Sequence, residues 1–295
     1  MTRNTKIHAS PACLLSHLKN CQFALNPVSD TRARLIRSRE RKTPMKTPKY
    51  SLLVFPLVIA LLVLVQSCSV KTDPVNMELV LVQPGTFQMG SDDGEANEKP
   101  IHSVTISRPF YIGKYEVTQK QWRDVMGTNP SKYQGDNRPV ENVSLDDAYG
   151  FIRKLNLNEK EGTTKYRLPT EAEWEFAARG GTQSNGYKFA GSSNVADVAV
   201  YSENSGGETK PVGSKRPNEL GIYDMSGNVW EWCSDCYGTY SASSQRNPKG
   251  TTYSTSRVLR GGSLYYNEYY CRLAVRNYVG PGVPYNDFGF RCVRD

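Results

Sequence analysis

Cysteine thiols are the side chains of this 295-residue chain best suited to redox chemistry and to soft metal ions. Four of its seven cysteines lie in the C-terminal third, namely Cys233, Cys236, Cys271 and Cys292. In an exported protein an even set favours disulfides, although the sequence leaves their pairing open. Cys233 and Cys236 would alternatively form a redox pair or half of a zinc site, without a second closely spaced pair to complete it.

Histidine, the usual general base, is nearly absent from the same part of the chain. Of three histidines, only His102 lies beyond residue 17. We expect His102 to be a surface or strand-pairing residue. A Ser-His-Asp triad, a Cys-His nucleophile pair and a multi-histidine metal centre are therefore excluded, and no phosphate-binding P-loop motif is present.

Long motifs follow one another in a specific order. They are Arg167-Leu168-Pro169-Thr170-Glu171-Ala172-Glu173-Trp174-Glu175, Gly227-Asn228-Val229-Trp230-Glu231-Trp232, Arg260-Gly261-Gly262-Ser263 with Arg276 downstream, and Gly289-Phe290-Arg291-Cys292. Together they resemble the formylglycine-generating enzyme (sulfatase-modifying factor) family, from about Met77 to Asp295. The resemblance implies an α+β fold, a loop-rich variant of the C-type lectin fold with low regular secondary structure.

The resemblance also identifies a position where this chain departs from the family's enzymes. In those enzymes two cysteines follow the Arg-Gly-Gly-Ser motif, and their thiolates hold a cuprous ion that activates oxygen to oxidise a substrate cysteine. Here Tyr266 stands at the first position. The count for the second reaches Cys271, but counting back from Arg276 puts Cys271 at a non-catalytic position. Copper is therefore not expected, and Cys271 is the only candidate catalytic thiol.

Calcium is the metal that the resemblance favours, in a structural role at one or two sites. Carboxylates, carboxamides and main-chain carbonyls are the ligands that calcium prefers. The residues that match the family's first site are Asp224, Gly227, Val229 and Glu231. Those that match its other site are Asn194, Val195, Asn204 and Gly206. Asn204 stands where the enzymes carry aspartate, which lowers the charge of that second site.

Two functions are compatible with these residues. The first is a non-oxidising binding or assembly module that uses a cleft between the loops 264–270 and 278–287, where tyrosine and asparagine favour adaptable recognition. The expected ligand-binding residues are Tyr265, Tyr266, Asn267, Glu268, Tyr269, Tyr278, Tyr285 and Asn286. Its ligand would be a peptide, a glycan or another envelope protein. The alternative is a formylglycine-generating oxidoreductase acting on exported sulfatases, which would need a relocated metal site such as Cys233 and Cys236.

The elements that must position these residues are short. The alternation over 78–88 predicts a hairpin around Pro84-Gly85, and 101–117 predicts two more strands. Side-chain caps predict helices that begin after Thr118, Ser144 and Thr170. We expect Trp174, Trp230 and Trp232 to lie in the core, because a loop-rich domain needs large apolar anchors.

The N-terminal region predicts attachment to a membrane. The apolar run 52–65 is short for a membrane span and ends before Ser67-Cys68, which resembles a bacterial lipoprotein cleavage site. We therefore assign 1–44 to a mis-assigned start or leader, 45–67 to a lipoprotein signal peptide, 68–76 to a tether and 77–295 to the domain. Lipidation at Cys68 would place the protein in the bacterial cell envelope, periplasmic or surface-facing.

The basic charge of the chain belongs to its N-terminal region. The whole chain has a formal net charge of +8, but residues 68–295 carry 26 Lys and Arg against 27 Asp and Glu. A nucleic-acid-binding protein would show a basic face in its folded domain. Nucleic acid is therefore not an expected partner.

Overall fold

The computed structural model of the chain describes residues 75–157 and 165–295. These residues belong to one compact unit, Cys68–Asp295. The expected leader, the signal peptide, the lipidated Cys68 and most of the tether lie outside the described residues. Within the described ranges, no helix combines the length and the apolar character that a membrane crossing requires.

Strands of two to seven residues form three small sheets in the described ranges. In chain order they are β1 (Leu79–Val82), β2 (Gly85–Met89), β3 (His102–Ile106), β4 (Phe110–Gly113), β5 (Tyr166–Arg167), β6 (Trp230–Cys236), β7 (Gln245–Arg246), β8 (Arg257–Arg260), β9 (Arg276–Val279), β10 (Phe288–Gly289) and β11 (Val293–Arg294). The sheet orders are β1-β4-β11-β5, β10-β6-β8-β9 and β2-β3-β7. Only β10 with β6 and β3 with β7 are parallel pairs. The expected α+β, loop-rich class is confirmed.

The predicted hairpin around Pro84-Gly85 is wrong. Its two strands exist, but β1 pairs with β4 and β2 pairs with β3, so the turn carries the chain from one sheet to another. Alternation identifies a strand without identifying its partner. Val82, Ile112 and Val104 lie in one core cluster, so the sheets of β1 and β3 share a core. The two strands predicted within 101–117 are confirmed as β3 and β4.

Side-chain caps begin three of the helices, as the sequence predicts. The helices of the described part are α1 (Gln119–Met126), α2 (Leu145–Leu157), α3 (Glu171–Ala178) and the single turn α4 (Val195–Val198). Thr118 and Thr170 each accept a hydrogen bond from the main-chain N–H three residues on and receive a reciprocal contact, which makes two capping boxes. Ser144 caps α2 with Asp147 in the same way.

The three tryptophans lie in the core, as predicted. Trp174, Trp230 and Trp232 are all buried. Trp174 donates its indole N–H to Glu231 at 2.8 Å, and Trp232 donates to the carbonyl of Val143 at 3.0 Å. Large rings of this kind supply apolar contact and anchor neighbouring loops at the same time.

Buried arginine–glutamate pairs connect the loops to α3 and to the sheets. The pairs are Arg260–Glu175, Arg276–Glu171, Arg291–Glu231 and Arg272–Glu98. The guanidinium of Arg260, which has no exposed surface, also donates to the carbonyls of Leu273, Ala274 and Val275. It therefore fixes the segment after the loop 264–270 against α3.

We predict that Arg260→Met destabilises the domain by about 3 to 5 kcal/mol, because it leaves the buried Glu175 carboxylate with Arg179 as its one guanidinium partner and removes the donor to three buried carbonyls. Urea unfolding followed by tryptophan fluorescence measures the free energy. Arg123→Met, which removes the partly exposed pair with Asp136, is the matched control and should cost less than about 1 kcal/mol. Equal losses in the two variants would contradict the importance of the buried pair.

Candidate functional site

The candidate site is a group of tyrosines on the loop that follows the Arg-Gly-Gly-Ser motif. Gly262 lies in the left-handed region, with φ 78°, and a Cβ there would stand 2.5 Å from the carbonyl oxygen of Tyr270. Only glycine therefore lets the loop fold back on itself. The loop ends in a 3₁₀ turn, Glu268–Cys271, whose first N–H groups are capped by the side chain of Asn267.

We define the tyrosine cluster as Tyr133, Tyr265, Tyr266, Tyr270 and Tyr285. The hydroxyl of Tyr265 accepts a hydrogen bond from Asn286 at 2.7 Å and contacts the hydroxyl of Tyr133. The ring of Tyr266 packs edge-on against Tyr270, with centroids 4.9 Å apart. Tyr265, Tyr270 and Tyr285 are 41, 39 and 49 % exposed, so the cluster presents aromatic surface to solvent.

Some predicted ligand-binding residues have other contacts. Tyr269 donates to Glu95 at 2.9 Å and lies under the guanidinium of Arg272. Glu268 lies 3.8 Å from the ammonium of Lys188. Tyr278 is on β9, where it stacks on Tyr237 with centroids 4.0 Å apart.

Tyr133 joins the cluster without having been predicted from the sequence. It lies in the loop between α1 and α2, far along the chain from Tyr265, and no motif marks it.

Buried polar groups lie beside the cluster. The hydroxyl of Ser263 donates to the carboxylate of Asp287 at 2.7 Å, and both residues are buried. Glu141 accepts the main-chain N–H of Tyr133 at 2.8 Å, and burial raises the pKa of its carboxyl to about 7. Burial also raises the pKa of Asp287. These carboxyls were not predicted, and that of Glu141 can exchange protons near neutral pH.

The residues that match the family's first calcium site form a tight turn before β6. Asp224, Gly227 and Asn228 all have positive φ angles, of 59°, 83° and 62°. Asp224 accepts the main-chain N–H of Gly213 at 2.7 Å. Glu231 receives two hydrogen bonds from Arg291, at 2.6 and 2.7 Å.

Negative charge exceeds positive charge around this turn. Glu116, which the sequence did not mark, is buried there and accepts a hydrogen bond from Asn228 at 2.7 Å. Burial raises the pKa of Glu116, and the charge of Asp224 adds to this effect. Burial likewise raises the pKa of Asp224 to about 6. Three buried carboxyls thus face one guanidinium, that of Arg291, and this imbalance fits a hard divalent cation.

The donor set at this turn is mixed. Across 75–157 and 165–295, no three His, Cys, Asp or Glu side chains are arranged around a single metal position. The main-chain carbonyls of Gly227 and Val229 would have to supply part of the coordination, as the family resemblance implies. A calcium role for Asp224, Gly227, Val229 and Glu231 stays a prediction.

The second predicted calcium set has local roles in the structure. Asn194 caps α4 by accepting the N–H of Ala196. Asn204 accepts the N–H of Tyr201 at 2.9 Å and donates to the carbonyl of Ala199 at 2.9 Å. Val195 is buried and Gly206 is exposed in a turn. A calcium role for these four residues stays a prediction.

Comparison with protein families decides the classification. The family described as sulfatase-modifying factor enzyme 1-like domain matches residues 66–295. The chain belongs to this family. The predicted family is thereby confirmed, and with it the family's variant of the C-type lectin fold.

Relatives of this family member carry several different names. A formylglycine-generating enzyme from Thermomonospora curvata is 28% identical over 292 residues, covering 74% of the chain and 93% of the relative. The chaperone protein LppX of Paenibacillus barcinonensis is 40% identical over 225 residues, covering 60% and 78%. The serine/threonine-protein kinase pkn1 of Chlamydia pneumoniae is 32% identical over 83% of the chain, which spans only 42% of that kinase.

Solved structures support the same fold. Treponema denticola variable protein 1 superposes with a TM-score of 0.67 at 32% identity, covering 73% of the chain and 94% of that protein. PvdO from Pseudomonas aeruginosa superposes with a TM-score of 0.62 at 29% identity, covering 74% and 94%.

The candidate thiol of this family member, Cys271, is enclosed in the core. It has no exposed surface and packs in a cluster with Phe189, Val198 and Tyr201. Burial raises the pKa of its thiol to about 12, and the charge of Glu268 adds to the shift. Only the thiolate binds metal or attacks a substrate. Cys271 therefore stays protonated at neutral pH.

The predicted disulfides are wrong for the described residues, where Cys233, Cys236, Cys271 and Cys292 form none. Cys292, Cys233 and Cys271 lie in three different core clusters. Cys233 and Cys236 both lie on β6, where residues this far apart point to opposite faces. The same geometry argues against a shared redox or zinc site for Cys233 and Cys236.

Proposed function

We propose that the protein is a non-oxidising member of the sulfatase-modifying factor family that binds a partner through the tyrosine cluster. The observation that carries this proposal is the environment of Cys271. A buried thiol with a pKa of about 12 supplies no thiolate to a cuprous ion. Tyr266, at the other expected thiol position, packs its ring edge-on against Trp230, with centroids 5.7 Å apart.

The composition of the cluster supports binding. Tyrosine offers a large, rigid contact area at a low cost in side-chain entropy, together with a hydroxyl that donates or accepts. The rings of Tyr265, Tyr270 and Tyr285 are exposed, and the amide of Asn286 donates to the hydroxyl of Tyr265. The ligand is a peptide, a glycan or another envelope protein. That one relative is named a chaperone supports a role in assembly.

Attachment to the membrane through a lipid on Cys68 is part of the same proposal. The apolar run before Ser67-Cys68 supports it. The protein would then act in the bacterial cell envelope, where its ligand is held at the same surface.

The alternative function is formylglycine generation on exported sulfatases. It is favoured by the relative from Thermomonospora curvata, a formylglycine-generating enzyme that the chain covers over 93% of its length. It requires thiolates at a metal site, and the environment of Cys271 argues against this.

We predict that the protein, incubated with cuprous ion, oxygen and a peptide containing Cys-x-Pro-x-Arg, produces no aldehyde detectable by mass spectrometry. The Thermomonospora curvata enzyme is the positive control. Tyr266→Cys should not restore oxidation, because Cys271 stays buried and protonated. Aldehyde formed by the unmodified protein would overturn the non-oxidising proposal in favour of the alternative.

We predict that a photoreactive benzoylphenylalanine at Tyr285, which is 49 % exposed, forms a discrete cross-linked adduct in cells that make the protein. The matched control is the same substitution at Tyr253, which is 94 % exposed and lies outside the cluster. Ala in place of Tyr265 should weaken the adduct at position 285. Equal cross-linking at the two positions would mean that the cluster has no selective partner.

We also propose that calcium binds in a structural role at Asp224 and Glu231, with the main-chain carbonyls of Gly227 and Val229. We predict that calcium raises the thermal unfolding midpoint relative to chelator, because an ion that binds only the folded state stabilises it. Asp224→Asn should abolish this rise without lowering the midpoint in chelator, since it removes a buried charge. Asp124→Asn, on the exposed surface of α1, should keep the full response. A response retained by Asp224→Asn would rule out this site.

A further inference from the structure

A second groove shares no residue with the tyrosine cluster. It has a volume of about 830 Å³, which lies within the range of ligand-binding pockets. The lining contains Arg108, at the turn between β3 and β4, together with Arg246 and Lys249. The lining also includes Tyr149 of α2 and Arg167 of β5.

Three cations of this groove form no salt bridge with the described residues. Arg108, Arg246 and Lys249 are all exposed, and none forms an ion pair within the described ranges. Arg167 differs, because it pairs with both Glu173 and Asp295. Since residues 68–295 carry nearly equal numbers of acidic and basic residues, this concentration of unpaired positive charge is local to the groove.

Hydrogen bonds fix the positions of the cation-bearing segments. The main chain of Arg246 pairs with Thr105 at the end of β3. The side chain of Asn247 accepts the N–H of Ser107 at 2.9 Å and donates to its hydroxyl at 2.7 Å. Asn247 also has a positive φ of 46°. The turn that carries Arg108 and the strand that carries Arg246 are therefore held together, and the groove exists before a ligand arrives.

Carboxylates are already bound at the edge of this groove. Arg167 donates to Asp295 through Nε at 3.1 Å and to Glu173 through Nη1 at 2.7 Å. The hydrogen bond from Arg167 lowers the pKa of Asp295, and the charges of Arg108 and Lys249 add to the effect. The groove thus stabilises a carboxylate in its ionised form. A guanidinium forms stronger hydrogen bonds with an ionised carboxylate than with a neutral acceptor.

We propose that this groove binds an acidic segment of a partner protein, with Asp or Glu side chains on Arg108, Arg246 and Lys249. Polar side chains on the same walls, such as Ser107 and Asn247, can bond the main chain of such a segment. The half-buried ring of Tyr149 offers an apolar contact between the charges. Bidentate pairing of carboxylate with arginine favours a peptide of spaced acidic side chains.

Fluorescence anisotropy with a labelled peptide of alternating Glu and Ser tests the proposal. The protein should bind this peptide, with an affinity that falls as salt is added, and should not bind the matching Gln and Ser peptide. The triple variant R108Q, R246Q and K249Q should bind about tenfold more weakly or worse. The control variant K120Q, K154Q and K188Q removes the same charge from exposed lysines outside the groove and should bind as the unmodified protein does.

Other outcomes would overturn the proposal. They are no binding of the Glu and Ser peptide, equal weakening in both triple variants, or tighter binding of an acidic polysaccharide such as polygalacturonate. Unfolding midpoints of all variants verify folding. If the groove triple variant does not fold, R246Q alone against K154Q gives the same comparison. Loss of tyrosine-cluster cross-linking would leave this result unaffected, because the two sites share no residue.

Discussion

The fold depends on buried arginine side chains that act as donors to glutamates and to loop backbone at once. Arg260 binds Glu175 and three carbonyls, and Arg291 binds Glu231 and the carbonyls of Gly113 and Tyr223. Buried carbonyls need donors, and short strands provide few. A planar guanidinium with several N–H groups can satisfy loop carbonyls that have no ladder partner. Removing one guanidinium would expose several unsatisfied groups together.

This constraint explains why the sequence motifs are so specific. The glutamates of α3 and β6 stand in two of them, and their arginine partners stand in the Arg-Gly-Gly-Ser and Gly-Phe-Arg-Cys motifs or just after them. Each motif is therefore half of a buried pair. The same scaffold leaves the loop 264–270 outside the pairs, which allows its tyrosines to face a partner while the framework stays fixed.

Local signals in the sequence predicted local structure well. The caps at Thr118 and Thr170 involve residues three apart in the sequence. The burial of the tryptophans follows from their large apolar rings. Partners far along the chain were harder to predict. The alternation at 78–88 predicted two strands but not the strands with which they pair. The cysteines suggested disulfides, although Cys233, Cys271 and Cys292 occupy different core clusters. Tyr133 and Glu116 reach the candidate sites from distant segments without a motif, so only the fold reveals them.

The sequence separation of the buried pairs bears on how the chain folds. Glu98 meets Arg272 across 174 positions, and Glu171 meets Arg276 across 105. A ribosome releases each acidic member long before its basic partner, so the early segments cannot reach their native arrangement alone. High contact order of this kind slows folding. The nascent chain would stay accessible to proteases until the last motif has emerged.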